Sequence, residues 1–385
     1  MDLVGPLEAE DTWALARCLT AMGAAVAPST AGLSVHGPLR GSDHEVILDA
    51  GESGTAARFL AALAAATPGR FRLVGSPRLE RRPMAGLVAA LRAGGADVAS
   101  EGQGDRMPLA IRGGTLRSGP LTVDATSSSQ FVSALLLAAV AVEGGLEVRP
   151  EGPFPSAPYV EATRDALEAF GHGVSVDGGG FRVGRGASAS PRRYEIPGDY
   201  SSAIPLLACA GILGGEVGVA GLAWPSRDAD AGALACLASM GLELSMEPGR
   251  VRAACDGAVR PLEAVATDFP DSVPALAALA AFSPGTSRIA GIAHLRGKES
   301  DRIASVAALL RAAGGSVREE RDALVIDGGL SLPRAARLPT AADHRLVMAA
   351  SLIALRRSGT LIEGPGHVRK SYPRFFADLE SLLLR

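Results

Sequence analysis

Apolar residues recur along the chain at helical spacing, in segments that end on a glycine and then turn to strand-like alternation. Five segments share one frame: a leucine, a glycine four residues on, and Val or Leu seven on. They are Leu19-Gly23-Val26, Leu91-Gly95-Val98, Leu167-Gly171-Val174, Leu237-Gly241-Leu244 and Leu310-Gly314-Val317. Each predicts an amphipathic helix, a glycine just past its end where positive φ is needed, and a strand start. A sixth such helix fits 375–384.

A second series runs between these. Five polar clusters each precede a nearly uninterrupted apolar run: 51–55, 126–130, 199–202, 268–272 and 340–344. Helices that are apolar all round, such as 273–282 and 346–355, are expected to be buried. Their polar N-termini are then expected on one shared surface or cleft.

Both series repeat every 70 to 76 residues. That period is too long for ordinary solenoid repeats and suits duplicated subdomains. The predicted class is α/β, with six similar βα-rich units, three in a first domain over 1–197 and three in a second over 198–385. A turn-rich stretch at 187–193 leads to that boundary. Counting back one period from Thr55 passes residue 1, so the first unit reads as incomplete and the sixth polar N-terminus is expected upstream.

Composition narrows the function. With 385 residues, 47% hydrophobic, a soluble two-domain protein is expected. Net charge is −3, so no global field recruits nucleic acid or a membrane. No secretory leader is read at the start, and no apolar run is long enough to span a bilayer. Cys18, Cys209, Cys236 and Cys255 lack CxxC spacing and read as buried free thiols in a reducing, cytoplasmic setting. Asparagine is absent, glutamine occurs only at Gln103 and Gln130, and two lysines, Lys298 and Lys370, stand against thirty-six arginines. Where arginine fills nearly every cationic position, a remaining lysine marks a place where a compact charge is needed rather than a fork, or survives at the surface by chance.

The polar clusters carry the candidate chemistry. Ser127 to Gln130 begin a helix, whose unpaired amides and dipole suit an anion; plain capping explains a serine run equally well. Gly54 would let a ligand approach the backbone, and Thr55 reads as a cap. Arg82, before Pro83, could aim its fork at a carboxylate or phosphate, or sit in a solvated pair. Lys298 and Arg302 are four apart, predicting a shared helix face with Glu299 beside it, suited to anion binding and acid–base work. Asp271 is either a cap or a base. Asp343 reads as a cap and His344 as a half-buried imidazole. No metal-ligand spacing and no dinucleotide or Walker fingerprint appears.

Taken together and in order, these motifs resemble the 5-enolpyruvylshikimate-3-phosphate synthase family: GESGTAAR at 51–58, Arg81-Arg82-Pro83, Ser128-Ser129-Gln130-Phe131, Ser156-Ala157-Pro158-Tyr159, Asp271, KESDR at 298–302, Asp343-His344-Arg345 and Lys370-Ser371-Tyr372-Pro373. The resemblance runs along almost the whole chain. It implies two domains of βαβαββ units, an inside-out α/β barrel arrangement, closing on substrate. It also implies transfer of the enolpyruvyl group of phosphoenolpyruvate to the 5-hydroxyl of shikimate 3-phosphate, without metal or organic cofactor. Carried over by position, Ser128, Ser129, Gln130, Ser156, Tyr159, Asp271 and Lys298 would hold shikimate 3-phosphate. Gly54, Arg82, Gln130, Arg302, Arg345 and Lys370 would hold phosphoenolpyruvate. Asp271, Glu299 and Lys298 would carry the catalysis: Asp271 acts on the attacking hydroxyl and Glu299 handles the methylene proton. The implied partners are these two small molecules, with the chain a cytoplasmic monomer.

Three departures stand out. The family's N-terminal Lys-Ser segment and following arginine have no counterpart and are expected before Met1, where the repeat spacing also puts them. Glu52 replaces the usual asparagine of the glycine loop, and an acid beside a phosphate site must face away or be paired. His294 stands where an asparagine is frequent. An alternative reading is a shortened relative that binds a shikimate-like ligand or a partner protein without catalysis. The sister UDP-N-acetylglucosamine enolpyruvyl transferase is disfavoured, because it lacks the SSQ, KESDR and DHR set.

Overall fold

The structure, a computed structural model, describes residues 1–184, 192–332 and 334–383. The chain divides into two compact units, Met1–Ile196 and Pro197–Arg385. Most of the turn-rich stretch 187–193 lies outside the described residues, as does the last residue of the helix expected at 375–384.

In the first unit, three four-stranded sheets share one order. They are Arg193–Glu195, Asp2–Val4, Gly32–His36, Ala25–Ser29; then Glu45–Asp49, Gly69–Val74, Leu109–Gly113, Asp97–Ser100; then Gly119–Asp124, Leu146–Glu151, Gly180–Val183, Val174–Asp177. In each, the first two strands are parallel and the next two pairings antiparallel. In the second and third sheets the parallel pair is joined through one helix, and each of the three sheets contains one hairpin. The first sheet closes across the whole unit, with Asp2 opposite Arg193.

The second unit holds one sheet of the same order, Glu263–Val265, Thr286–Ala290, Ala323–Asp327, Ser316–Glu319. A three-stranded antiparallel sheet, Gly215–Leu222, Gly249–Cys255, Glu243–Glu247, and a parallel pair, Arg337–Leu338 with Leu361–Ile362, complete it.

The five repeated glycines end their helices as expected. Gly23, Gly95, Gly171, Gly241 and Gly314 all have φ between +81° and +98°, a region closed to most side chains. The polar-headed helices form the cores. Gly54–Ala66 packs against Gln130–Ala139 in the first unit; Tyr200–Leu213, Val273–Ala280 and His344–Ala354 pack together in the second. Every residue of Val273–Ala280 is buried. Such helices cannot vary their position without opening the core, so the side chains at their N-termini are fixed by packing. Cys18, Cys209 and Cys236 are buried thiols, and burial pushes their pKa to about 11, 12 and 11. Cys255 departs from expectation: it lies on a strand bordering solvent and is only partly buried.

Candidate active site

In the first unit, Ser53 rather than Thr55 caps the helix Gly54–Ala66, its Oγ accepting from the Ala56 amide at 3.2 Å. That leaves the Thr55 hydroxyl for a different partner: Gln130 Nε2 donates to Thr55 Oγ1 at 2.9 Å. Arg58, one turn along the same helix, donates from Nη1 to Gln130 Oε1 at 2.6 Å and from Nη2 to the Pro83 carbonyl at 3.2 Å. A Cβ at Gly54 would lie 2.3 Å from Arg82 Nη1 and 2.7 Å from Arg58 Nη1. Glycine is thus needed there for two guanidinium tips to meet the helix start, and Gly54, Arg82 and Gln130 converge around Arg58.

The other expected residues of this unit occupy two helix starts. Ser128 and Ser129 precede Gln130–Ala139, with Ser128 Oγ accepting from the Gln130 amide at 3.3 Å. Ser156, held at φ +63°, and Tyr159 lie at the start of Pro158–Ala169, which packs on that helix. Glu52 is exposed.

In the second unit, Asp271 does not cap Val273–Ala280. It instead meets three cations: Arg302 Nη1 at 2.7 Å, Arg345 Nη2 at 3.5 Å and Lys298 Nζ at 3.6 Å. Arg302, 1% exposed, also reaches Glu299 Oε2 and Asp343 Oδ2, each at 2.8 Å. Lys370 Nζ lies 3.5 Å from the other oxygen of Glu299. Asp343 caps His344–Ala354 through the Arg345 amide at 2.9 Å, as expected. Arg345 is anchored by Ser201, donating to its carbonyl at 2.7 Å and to its hydroxyl.

Lys298 and Arg302 do meet at one point, but not along a helix face. Asp301 caps the helix at Ala304, so Arg302 is its first residue and 298–300 form a bend after the 3-10 turn Ala293–Gly297. Capping by Asp301 ends the helical register before it reaches Lys298.

Electrostatics keep Asp271 and Asp343 ionised. Burial would raise the Asp271 pKa, but Lys298, Arg302 and Arg345 outweigh it and hold it well below the usual carboxylate range. Asp343 is likewise lowered, the Arg302 guanidinium outweighing the effect of burial. Arg302 and Arg345 are both raised despite burial, Arg302 chiefly by Asp343 and Arg345 by Asp271. The two histidines go the other way. Burial, then Arg345, lowers His344 to about 3; burial, then Lys298, lowers His294 to about 4. Both imidazoles are neutral near pH 7. Within this network four cations face three carboxylates. Asp199 and Asp230 also act on Arg345, so the site is a dense array of paired charges whose cations can turn to an anionic ligand.

Residues 2–379 match the profile of the family described as EPSP synthase, 3-phosphoshikimate 1-carboxyvinyltransferase. The chain belongs to the EPSP synthase family. A 3-phosphoshikimate 1-carboxyvinyltransferase of Thermococcus kodakarensis is 42% identical over 382 residues, 98% of this chain and 90% of that one. One from Methanothrix thermoacetophila is 40% identical, over 98% and 89% of the two chains. The EPSP synthase structure from Acinetobacter baumannii aligns with TM-score 0.78 and 26% identity, covering 99% of this chain and 89% of its own. The enolpyruvyl transferase NikO from Streptomyces tendae aligns with TM-score 0.77 at 20% identity, covering 99% and 88%, and shows the shared fold. The expected two-domain enolpyruvyl transferase fold is therefore the observed one.

Against this EPSP synthase frame, three residues escaped the sequence reading. The sequence gives Arg58 of GESGTAAR no partner, places Ser201 only in a helix-start cluster, and shows Asp343 as a cap without its bond to Arg302. For Arg58 a signal existed: an arginine among alanines in a helix otherwise buried needs an internal partner. Among the described residues no group of His, Cys, Asp and Glu could hold a metal, and no helix is long and apolar enough to cross a membrane.

Proposed function

We propose that the Asp271 network is the chemical centre for enolpyruvyl transfer from phosphoenolpyruvate to the 5-hydroxyl of shikimate 3-phosphate, the reaction named by the family. The observation that supports it is the meeting of Lys298, Arg302 and Arg345 on one carboxylate, with Glu299 on the far arm of Arg302. In this reading Asp271 accepts the proton of the attacking hydroxyl. The new C–O bond forms at C2 of phosphoenolpyruvate as Glu299, supplied with a proton, protonates the methylene carbon. The C2–O bond to phosphate then breaks with its electron pair going to the phosphate oxygen, which takes the proton held by Asp271, while a methyl proton returns to Glu299 and the carbon–carbon double bond re-forms.

A carboxylate held by three cations is a weak base at rest. Anionic substrates that draw Lys298, Arg302 and Arg345 to themselves loosen those pairs and raise its proton affinity where the hydroxyl arrives. Substrate binding and base activation are then one event. In the same reading, Gly54, Arg82, Gln130, Arg302, Arg345 and Lys370 take phosphoenolpyruvate. Ser128, Ser129, Gln130, Ser156, Tyr159, Asp271 and Lys298 take shikimate 3-phosphate. Four cations oppose charge build-up in the tetrahedral intermediate. The proposal includes a cytoplasmic monomer needing no cofactor.

The test is phosphate release from phosphoenolpyruvate with and without shikimate 3-phosphate. Release that depends on shikimate 3-phosphate is expected. Folded protein that releases none would leave the alternative, a binding protein without catalysis.

A further inference from the structure

We propose that Arg58 is a positioning residue: it fixes which atom of the Gln130 carboxamide is presented to substrate and ties Gln130 to the segment carrying Arg82. The inference rests on the reading that Gln130 contacts substrate. It concerns a side chain to which that reading gives no role.

The geometry is a closed ring of contacts. Thr55 and Arg58 are three apart on the helix Gly54–Ala66 and therefore share a face. Together they grip the two ends of the Gln130 amide: Arg58 Nη1 donates to Oε1 at 2.6 Å, and Nε2 donates to Thr55 Oγ1 at 2.9 Å. A guanidinium can only donate, so the amide oxygen must face Arg58 and the amide nitrogen must face away from it. One Nε2 hydrogen is used on Thr55, which leaves the second as the donor that Gln130 can offer to an anionic oxygen. Without Arg58 the two amide orientations become nearly equal, and half of them would present a carbonyl oxygen to the anion.

Arg58 does more than orient one amide. Its Nη2 holds the carbonyl of Pro83, next to Arg82, at 3.2 Å. Its guanidinium lies over the Phe131 ring, 5.6 Å from the centroid, beside Gln130. The residue is 2% exposed, so its positive charge is spent on protein groups and packing. Lysine could reach one of these partners but not both, because it lacks the planar fork.

The composition supplies an unusually direct readout. Asparagine is absent, and glutamine occurs only at Gln103 and Gln130. The side-chain carboxamide spectrum of 15N-labelled protein therefore contains two NH2 pairs, and Gln103→Glu assigns them. In the wild type, the Gln130 pair should be single and should shift on adding shikimate 3-phosphate with inorganic phosphate, a mixture that cannot turn over. In Arg58→Met the pair should move or double, and its ligand shift should shrink, while the Gln103 pair stays in place. KM for phosphoenolpyruvate should rise about ten- to hundredfold, the loss expected for a charge-assisted bond, and kcat should fall by less. Arg58→Lys should lie between the two.

A Gln130 pair unmoved by Arg58→Met, with KM within about twofold of wild type, would overturn the inference. Should Arg58→Met lack the native fold, Arg58→Lys and Thr55→Val carry the same decision: both are expected to disturb the Gln130 pair, and indifference in both would overturn it. A wild-type pair that ignores the ligands would instead count against Gln130 as a substrate contact. The Arg58 variants would still report on the ring in the free protein.

Discussion

Arg302 Nε donates to Asp343 Oδ2 at 2.8 Å, and neither side chain exposes more than 1% of its surface. The pair joins two helix starts that are 41 residues apart in sequence. Breaking such a pair from one side leaves Arg302 with only Asp271 and Glu299 and its Nε without an acceptor, a loss of up to about 3–5 kcal/mol for a buried pair. Asp343→Ala should lose that much in urea unfolding, and Asp343→Asn, which keeps the cap, clearly less. A loss below about 1 kcal/mol for Asp343→Ala would show that the network does not depend on this contact.

Gly54→Ala should leave the fold largely intact but displace the tips of Arg82 and Arg58, since its Cβ would fall 2.3 Å and 2.7 Å from them. Both are ends of flexible side chains, so they can move. The expected result is a KM for phosphoenolpyruvate raised at least about tenfold with a melting temperature within a few degrees of wild type. An unchanged KM would mean that Arg82 does not meet substrate and that displacing Arg58 does not disturb the groups that do.

The two lysines should not tolerate arginine equally well. Lys370 is buried to 8% exposure with its Nζ 3.5 Å from Glu299. A guanidinium needs more room and would tie up the carboxylate with two bonds. Lys370→Arg should lower kcat by about a hundredfold, measured by phosphate release. Lys298, with 21% of its side chain exposed, should lose less on Lys298→Arg.

Acid should destabilise the fold before the carboxylates titrate. His344 and His294 are lowered to about 3 and about 4 by burial. The unfolded chain therefore takes up protons near pH 6.5 that the folded chain refuses. Stability should fall as pH drops below 6.5, by about 1.4 kcal/mol per pH unit for each histidine, until the folded-state values are reached. Asp271 and Asp343, held low in the fold, add their own loss only below about pH 4. Urea midpoints at pH 7.5, 6 and 5 test this. His344→Asn should flatten the slope, and a wild-type midpoint constant over that range would refute the account.

The repeating frame of the fold was legible because it depends on local chemistry. Gly23, Gly95, Gly171, Gly241 and Gly314 each end a helix at positive φ, and the apolar runs behind 199–202, 268–272 and 340–344 are buried helices. The expected site residues of the second unit do come together, yet how they do so was not readable. Which carboxylate Arg302 meets depends on residues 31 and 41 positions away. Gln130 is oriented by a side chain 72 positions away. Such pairings arise from helix packing, and periodicity carries no record of them. Local capping misled as well: Ser53 and Asp301 took the caps, which released Thr55 for Gln130 and placed Lys298 outside the helix.

The parallel pairing of Asp2–Val4 with Arg193–Glu195 makes the first unit a ring in sequence terms. Its two inner sheets draw every strand from neighbouring chain and can form while synthesis continues. The remaining sheet must wait until residue 195 has left the ribosome, with the strand Asp2–Val4 held by the hairpin side alone. The loop closed by that last pairing is the longest in the unit, and loop closure slows long-range pairing most. Completion of this unit is therefore set by chain length translated, and a ribosome stalled before residue 193 holds a unit lacking one strand.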